Sequence, residues 1–423
     1  MTEAGGANGY GVIFSYNPVG NVYSDLINFD TSGVYPYGSL TLSGDFFYGT
    51  TYTGGTFGEG VIFSYAPVGN VYTELINFTG NTGSSPGRFP YGSLTLSGGI
   101  FYGMTALGGA NDTGVIFSYD PVGNVYTDQV NFTGIGGSNP GGAPFGECSL
   151  TLSGGLFYGM TEFGGANDDG VIFSYDPVGN VYTDLINFTG NAGLNPGETP
   201  IGSLTLSGGI FYGMTGGGGA NGYGVIFSYD PVGNVYTDLI NFTGTNGAYP
   251  YGSLTQSGGL FYGMTESGGA NTYGVIFSYN PVGNVYTDLF DFSAISGANP
   301  YGSLTLSGGV FYGMTAEGGA NGNGVIFSFK DTTVTNGINN ISIGTGIKLF
   351  PNPNNGVFTV LCATDRSFIA IYNLLGEKVF TQTLSSAPAG NSINLSAEPR
   401  GVYLYRISDK SGGLTDHGKI VIE

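Results

Sequence analysis

The hexamer Gly-Val-Ile-Phe-Ser-Tyr begins at Gly11, Gly60, Gly114, Gly170, Gly224 and Gly274, and a seventh copy at Gly324 ends in Phe329. Successive copies lie 49, 54, 56, 54, 50 and 50 residues apart. A repeat this regular forces one supersecondary unit to be reused, because each copy must bury the same apolar face against its neighbour. A period near 50 is too long for one coil of a β-helix and suits a four-stranded propeller blade. Glycine supplies 81 of the 423 residues, which works against long helices at about 1 kcal/mol per interior Gly relative to Ala. It does not recur every third residue, so a collagen helix is excluded. Aromatics at 14% argue against wholesale disorder. The expected class is all-β: a propeller of six or seven four-stranded blades, followed by a small C-terminal β-sandwich.

Each unit parses into four strands. In one copy, strand A is 203–207, strand B 210–215, strand C 224–229 and strand D 234–242. Gly208-Gly209 suits the two-residue A–B hairpin. Asp230-Pro231-Val232-Gly233 suits the C–D turn, with Pro presetting one φ and Gly tolerating a positive one. Period two places Val225, Phe227 and Tyr229 on one face of strand C. Counting gives six copies of A, B and D but seven of C, the extra one near the N-terminus. Met1-Thr2-Glu3 aligns with Met264-Thr265-Glu266, the end of strand B, so Met1 falls within a strand. Two readings follow: six closed blades with a redundant first strand, or seven blades in a chain truncated at its N-terminus.

An up-and-down blade puts the A–B and C–D turns on one face and the B–C and D–A loops on the other. The first pair barely varies. The D–A loops run 7, 12, 12, 12, 8 and 8 residues, and Glu147-Cys148 is an insertion after the third. Variation among near-identical copies marks the adaptable surface. Candidate ligand-binding residues there are Arg88, Phe89, Leu107, Asp112, Phe163, Asp168, Asp169, Glu198 and Tyr249. Aromatics beside carboxylates suit a glycan, by stacking and hydrogen bonding. Asn167-Asp168-Asp169-Gly170 offers oxygen ligands for Ca²⁺ but lacks the spaced series of a twelve-residue calcium loop, and reads as a turn.

Charge divides the chain. Residues 1–329 carry 22 Asp and Glu against the single base Arg88, whereas residues 330–423 carry 8 Lys and Arg against 7 acids. So acidic a body repels nucleic acid and anionic lipid. The one His, His417, lies outside the repeats, so the body can build neither a Ser-His-Asp set nor a His-based zinc site. No catalytic residue, metal or cofactor is expected. The strand-D acids Asp128, Asp184, Asp238 and Asp288 recur at one equivalent position, which points to architecture. No run of about twenty apolar residues predicts a membrane-spanning helix. Cys148 and Cys362 straddle the charge step and read as incidental.

The expected domains are a propeller over 1–329, a polar linker over 330–345 and a terminal module over 346–423. That module holds Pro351-Asn352-Pro353 with Gly356, then Tyr372-Asn373 with Gly376, then Gly401-Val402-Tyr403, then Lys419-Ile420-Val421-Ile422. In this order the blocks closely resemble the type A C-terminal sorting domain of the type IX (Por) secretion system of Bacteroidota. The resemblance implies passage across the outer membrane by the type IX machinery, usually with removal of the domain and release or surface attachment of the cargo. In the repeats, Gly218-Gly219, Tyr229-Asp230-Pro231 and Tyr236-Thr237-Asp238-Leu239 are similar to a kelch blade with Tyr in place of Trp. The Leu-Phe-Tyr-Gly-Met-Thr…Gly-Val-Ile-Phe series is more similar to the bacterial GloVer repeats of exported proteins. Together these imply a secreted or surface-attached bacterial protein. The expected function is non-enzymatic adhesion or binding of a ligand such as a glycan; the alternatives are a glycan hydrolase or lyase using loop carboxylates, or a structural surface component.

Overall fold

The computed structural model describes residues 1–332, 348–361, 367–373, 377–386, 390–408 and 414–422. Two compact units result, Met1–Asp331 and Thr332–Glu423. Cys362, Gly376 and most of the 330–345 linker lie outside the described residues.

The first unit is a series of antiparallel sheets. Five have four strands in the order A-B-C-D, for example Thr205–Ser207, Ile210–Thr215, Val225–Asp230 and Val235–Asn241. A two-stranded sheet of Val12–Asn17 and Val22–Asn28 precedes them, and a three-stranded sheet of Thr305–Ser307, Val310–Met314 and Ile326–Phe329 follows. Each complete C–D pair carries a bulge at the same place: Ile226 pairs with Ile240 and Phe227 with Asp238, so Leu239 is the extra residue.

Strand A is shorter than 203–207, because its first residues bond to the sheets on either side instead of to strand B. The Ser203 N–H donates to Ser253 Oγ at 2.8 Å, and the Leu204 carbonyl accepts from Thr151 Oγ1 at 2.7 Å. The pattern runs through the unit: Ser39, Ser93, Ser149, Ser203 and Ser253 each donate an N–H to the next serine hydroxyl at 2.7–2.9 Å. The A strands therefore lie side by side, tied by side-chain bonds and not by a continuous ladder.

Burial follows from the stacking. Val225, Phe227 and Tyr229 share a face and are all fully buried, yet Ile226 on the opposite face is buried as well. Each four-stranded sheet lies between two others, so both of its faces are core. Tyr158, Met160, Ile172 and Ile186 of one sheet pack with Phe211, Val225, Phe227 and Tyr229 of the next. Tyr158 meets Phe211 with ring centroids 4.4 Å apart, and the same pair recurs as Tyr102–Phe157 and Tyr212–Phe261.

In the terminal unit, Lys348–Phe350, Val357–Leu361 and Asn391–Asn394 form one sheet, and Ser367–Tyr372, Lys378–Leu384, Gly401–Ser408 and Leu414–Ile422 form another. Phe358, Val360, Ile369, Ile371, Ile393 and Ile407 are among the buried residues of their single shared core.

Strand B carries a glycine that cannot be enlarged. A Cβ on Gly159 would stand 2.5 Å from Phe173 Cζ and 3.0 Å from Leu150 Cδ2, both buried. Gly159→Ala is expected to cost about 1–3 kcal/mol through overpacking, measured by urea denaturation of the full chain.

Candidate functional site

The D–A loops enter strand A, and the B–C loops leave strand B, at the same end of every sheet. Several sequence-predicted residues there hold each other. Arg88 Nη2 pairs with Asp112 Oδ2 at 3.0 Å, and its guanidinium lies 5.3 Å from the Phe89 ring centroid. Arg88 and Leu107 exchange backbone hydrogen bonds of 2.8 and 3.2 Å. Asp112 Oδ1 also accepts the Gly108 N–H at 3.1 Å, as Asp168 Oδ1 accepts that of Gly164 at 2.9 Å. Both aspartates have positive φ, 59° and 65°, at a turn position where other copies have Gly58 or Gly222. Asp tolerates that region better than most side chains, so these two carboxylates organise turns. Asp169, next to Asp168, has its carboxyl raised by burial and by Asp168. Glu198 bridges Gly217 through the backbone, Tyr249 packs on Tyr223 at 5.7 Å, and Phe163 is exposed. In strand D, Asp128, Asp184 and Asp238 each accept from the Asn three residues on, at 2.7–2.8 Å.

The structure gathers a second set of residues that no sequence motif singles out. Five of the six residues just before the A strands are aromatic, Ile201 being the exception, and they lie on this face. Tyr37 and Tyr91 meet at 4.6 Å, Tyr91 and Phe145 at 5.5 Å, and Tyr251 and Tyr301 stack at 5.0 Å. Carboxylates from the ends of the B strands join them. Glu3 accepts the Tyr37 hydroxyl and Glu266 that of Tyr301. The charge of Glu162 reaches both Tyr91 and Tyr251, and that of Glu3 reaches both Tyr91 and Tyr301. Burial with these carboxylates pushes the Tyr251 phenol up to about 12. Residues from sheets far apart in sequence thus converge on one acidic aromatic cup.

The inserted Glu147 belongs to the same region. Its backbone carbonyl accepts from Ser203 Oγ at 2.9 Å, and its carboxylate accepts from Ser303 Oγ at 3.0 Å. Ser303 is the last serine of the inner series, and Glu147 supplies its acceptor. Burial raises the Glu147 carboxyl, opposed by Ser303 and by the terminal amine of Met1. Buried Cys148, the other inserted residue, has its thiol pushed well up by burial. Among the described residues no group of His, Cys, Asp and Glu is arranged to hold a metal ion, and no helix is long and apolar enough to cross a membrane.

In the terminal unit the motif blocks come together. Between Pro351 and Pro353, Asn352 donates to the Lys419 carbonyl and accepts from the Val421 N–H, both at 2.8 Å. Gly356 has φ +95°, and a Cβ there would stand 2.7 Å from Ser396 Cα. Tyr403 donates to the Pro399 carbonyl at 2.7 Å, and Gly401 opens its strand. Tyr372 ends the neighbouring strand, and the Asn373 N–H donates to the Glu377 carbonyl at 2.9 Å. The first and last motif blocks are thereby tied by hydrogen bonds.

Glu162 gives the cup a measurable signature. Burial raises its carboxyl from 4.5 to about 7. Below 4.5 the folded and unfolded chains both hold the proton; between the two values only the folded chain does, so stability falls as pH rises, and the full penalty stands above 7. Glu162→Gln should flatten this slope and melt higher than the parent at a pH of about 8, by scanning calorimetry.

A family model of the Gloeobacter/Verrucomicrobia repeat matches residues 1–147 and 149–346, and one of the secretion system C-terminal sorting domain matches 348–423. No curated protein matches the chain. Among solved structures it is similar to PorZ, described as an essential bacterial surface component of the type-IX secretion system of Porphyromonas gingivalis. That likeness has 15% identity and a TM-score of 0.39, over 96% of this chain and 62% of PorZ. A putative 6-phosphogluconolactonase from Bacteroides uniformis is 14% identical with a TM-score of 0.47, over 90% and 91% of the two chains. A chain of the nidogen/laminin complex is 14% identical with a TM-score of 0.41, over 64% and 84%. The repeats that build the first unit and the tied motif blocks that end the second place this chain in the Gloeobacter/Verrucomicrobia repeat family, with a Por-type sorting domain that marks a secreted or surface-attached bacterial protein.

Proposed function

We propose that the first unit is a seven-position propeller displayed outside the cell as a non-enzymatic adhesion or ligand-binding module. On this reading the terminal unit is a β-sandwich that addresses the chain to the type IX machinery, and residues near 330–345 link the two. The ring is supported by Tyr16 of the first sheet, which meets Tyr312 of the last at 6.4 Å. That matches the pairing of a strand-C tyrosine with the strand-B tyrosine of the preceding sheet elsewhere, as with Tyr119 and Tyr48 or Tyr229 and Tyr158. Seven C strands then give seven positions.

One observation carries the functional reading: loop-length variation is confined to the face where exposed aromatics and unneutralised carboxylates collect. Phe163 and Tyr249 on its rim suit stacking on a sugar ring, and Glu198 suits its hydroxyls. A glycan array probed with the full chain should give binding that falls at least about tenfold for Phe163→Ala or Tyr249→Ala, since aromatic contacts of this kind dominate recognition. A hydrolase reading draws on Glu162, whose raised carboxyl is what a general acid needs; polysaccharide turnover abolished by Glu162→Gln would replace binding by catalysis.

The addressing role has its own test. Surface protease accessibility in a Bacteroidota host should be lost when residues 348–423 are deleted. Asn352→Ala, which breaks both ties to the last strand, should lower it without changing the melting of the repeat unit.

A further inference from the structure

The cup differs from the rim in chemistry. Its walls are the aromatic residues Tyr37, Tyr91, Tyr251 and Tyr301, only partly covered, with Tyr301 52% exposed. Glu162, half-buried, lies close enough for its charge to act on Tyr91 and Tyr251, and its carboxylate accepts no hydrogen bond among the described residues. A carboxylate withdrawn from water without a partner is unfavourable, and a cation brought to it relieves that cost. The repeats supply none: Arg88 is held by Asp112, and the Met1 amine acts on Glu147, leaving Glu162 and Glu266 without a cation.

We propose that the aromatic cup around Glu162 binds an organic ammonium ion, with Tyr91, Tyr251 and Tyr301 as its cage and Glu162 as its counter-charge. Aromatic rings attract a weakly hydrated ammonium through their quadrupoles, and the attraction grows where water is excluded. A bare metal ion is a poorer match, since no carboxylate group here is arranged for one and hard cations take oxygen cages. An anionic ligand is repelled by a body with 22 acids and one base. This inference rests on the reading that the variable-loop face is the working face, but it concerns the cup and not the sugar-stacking rim.

The test is calorimetric titration of the full chain with choline and with 3,3-dimethylbutan-1-ol, which has the same shape without the charge. Choline should bind, and the neutral isostere at least about tenfold more weakly. Glu162→Gln and Tyr251→Leu should each weaken choline by at least about tenfold, while Asp45→Asn, exposed in an A–B turn at the opposite end of a sheet, leaves it unchanged. Because Glu162→Gln is expected to melt higher than the parent, its loss of choline binding cannot come from unfolding. No choline binding, equal binding of the isostere, or choline binding unchanged in Glu162→Gln would overturn the inference. Glycan binding that persists without choline binding would sink the cup alone; the absence of both would sink the ligand-binding reading with it.

Discussion

Everything in the repeat unit depends on aromatic packing between neighbouring sheets. A four-stranded antiparallel sheet normally keeps one face in water, whereas here Ile226 and Phe227, adjacent in one strand and on opposite faces, are both fully buried. That is possible only because each four-stranded sheet is both floor and ceiling for a neighbour. Tyr158 against Phe211, at 4.4 Å, is the recurring contact. Gly159, next to Tyr158 in its strand, serves the opposite face, packed on the preceding sheet: the ring of Phe173 lies where its side chain would be. Near-identical copies follow from this geometry, since a change on one face must fit the opposite face of the next unit.

The inner strands obey a second constraint. Sheets packed face to face cannot share a hydrogen-bond ladder, so the backbone groups that open strand A need other partners. Serine and threonine hydroxyls provide them from one sheet to the next. The series ends at Ser303, whose acceptor is the inserted Glu147. An insertion of two residues in one loop thus completes a bonding pattern begun five sheets earlier.

The loop face trades stability for exposed chemistry. Glu162 is raised by burial, and half-exposed Tyr91 and Tyr251 lie within reach of its charge. At the equivalent position other copies have Ala106, Gly216 or Ala316, so the acid is not required by the fold. Removing it is expected to stabilise the chain, as is common where a site is retained for function.

Much of this was legible in the sequence, and the exceptions are instructive. The hexamer's spacing and the Gly-Gly and Pro-Val-Gly turns specify four strands per unit, because period-two burial and turn chemistry are local. The shortened strand A was not legible, since Ser203 bonds to Ser253, fifty residues away. The turn roles of Asp112 and Asp168 were half legible: they replace glycines of other copies, but only the positive φ shows why. The cup was not legible at all. Tyr91 and Tyr301 carry no local signal beyond their place before strand A, and Glu147 none beyond being an insertion. By itself the sequence determined an all-β repeat, its strand order, its variable face and its sorting signal, all written within single units. Only the tertiary structure decided which residues of distant units meet, because bringing Glu3, Tyr91, Glu162 and Tyr301 to one place is the work of sheet stacking and of no local pattern.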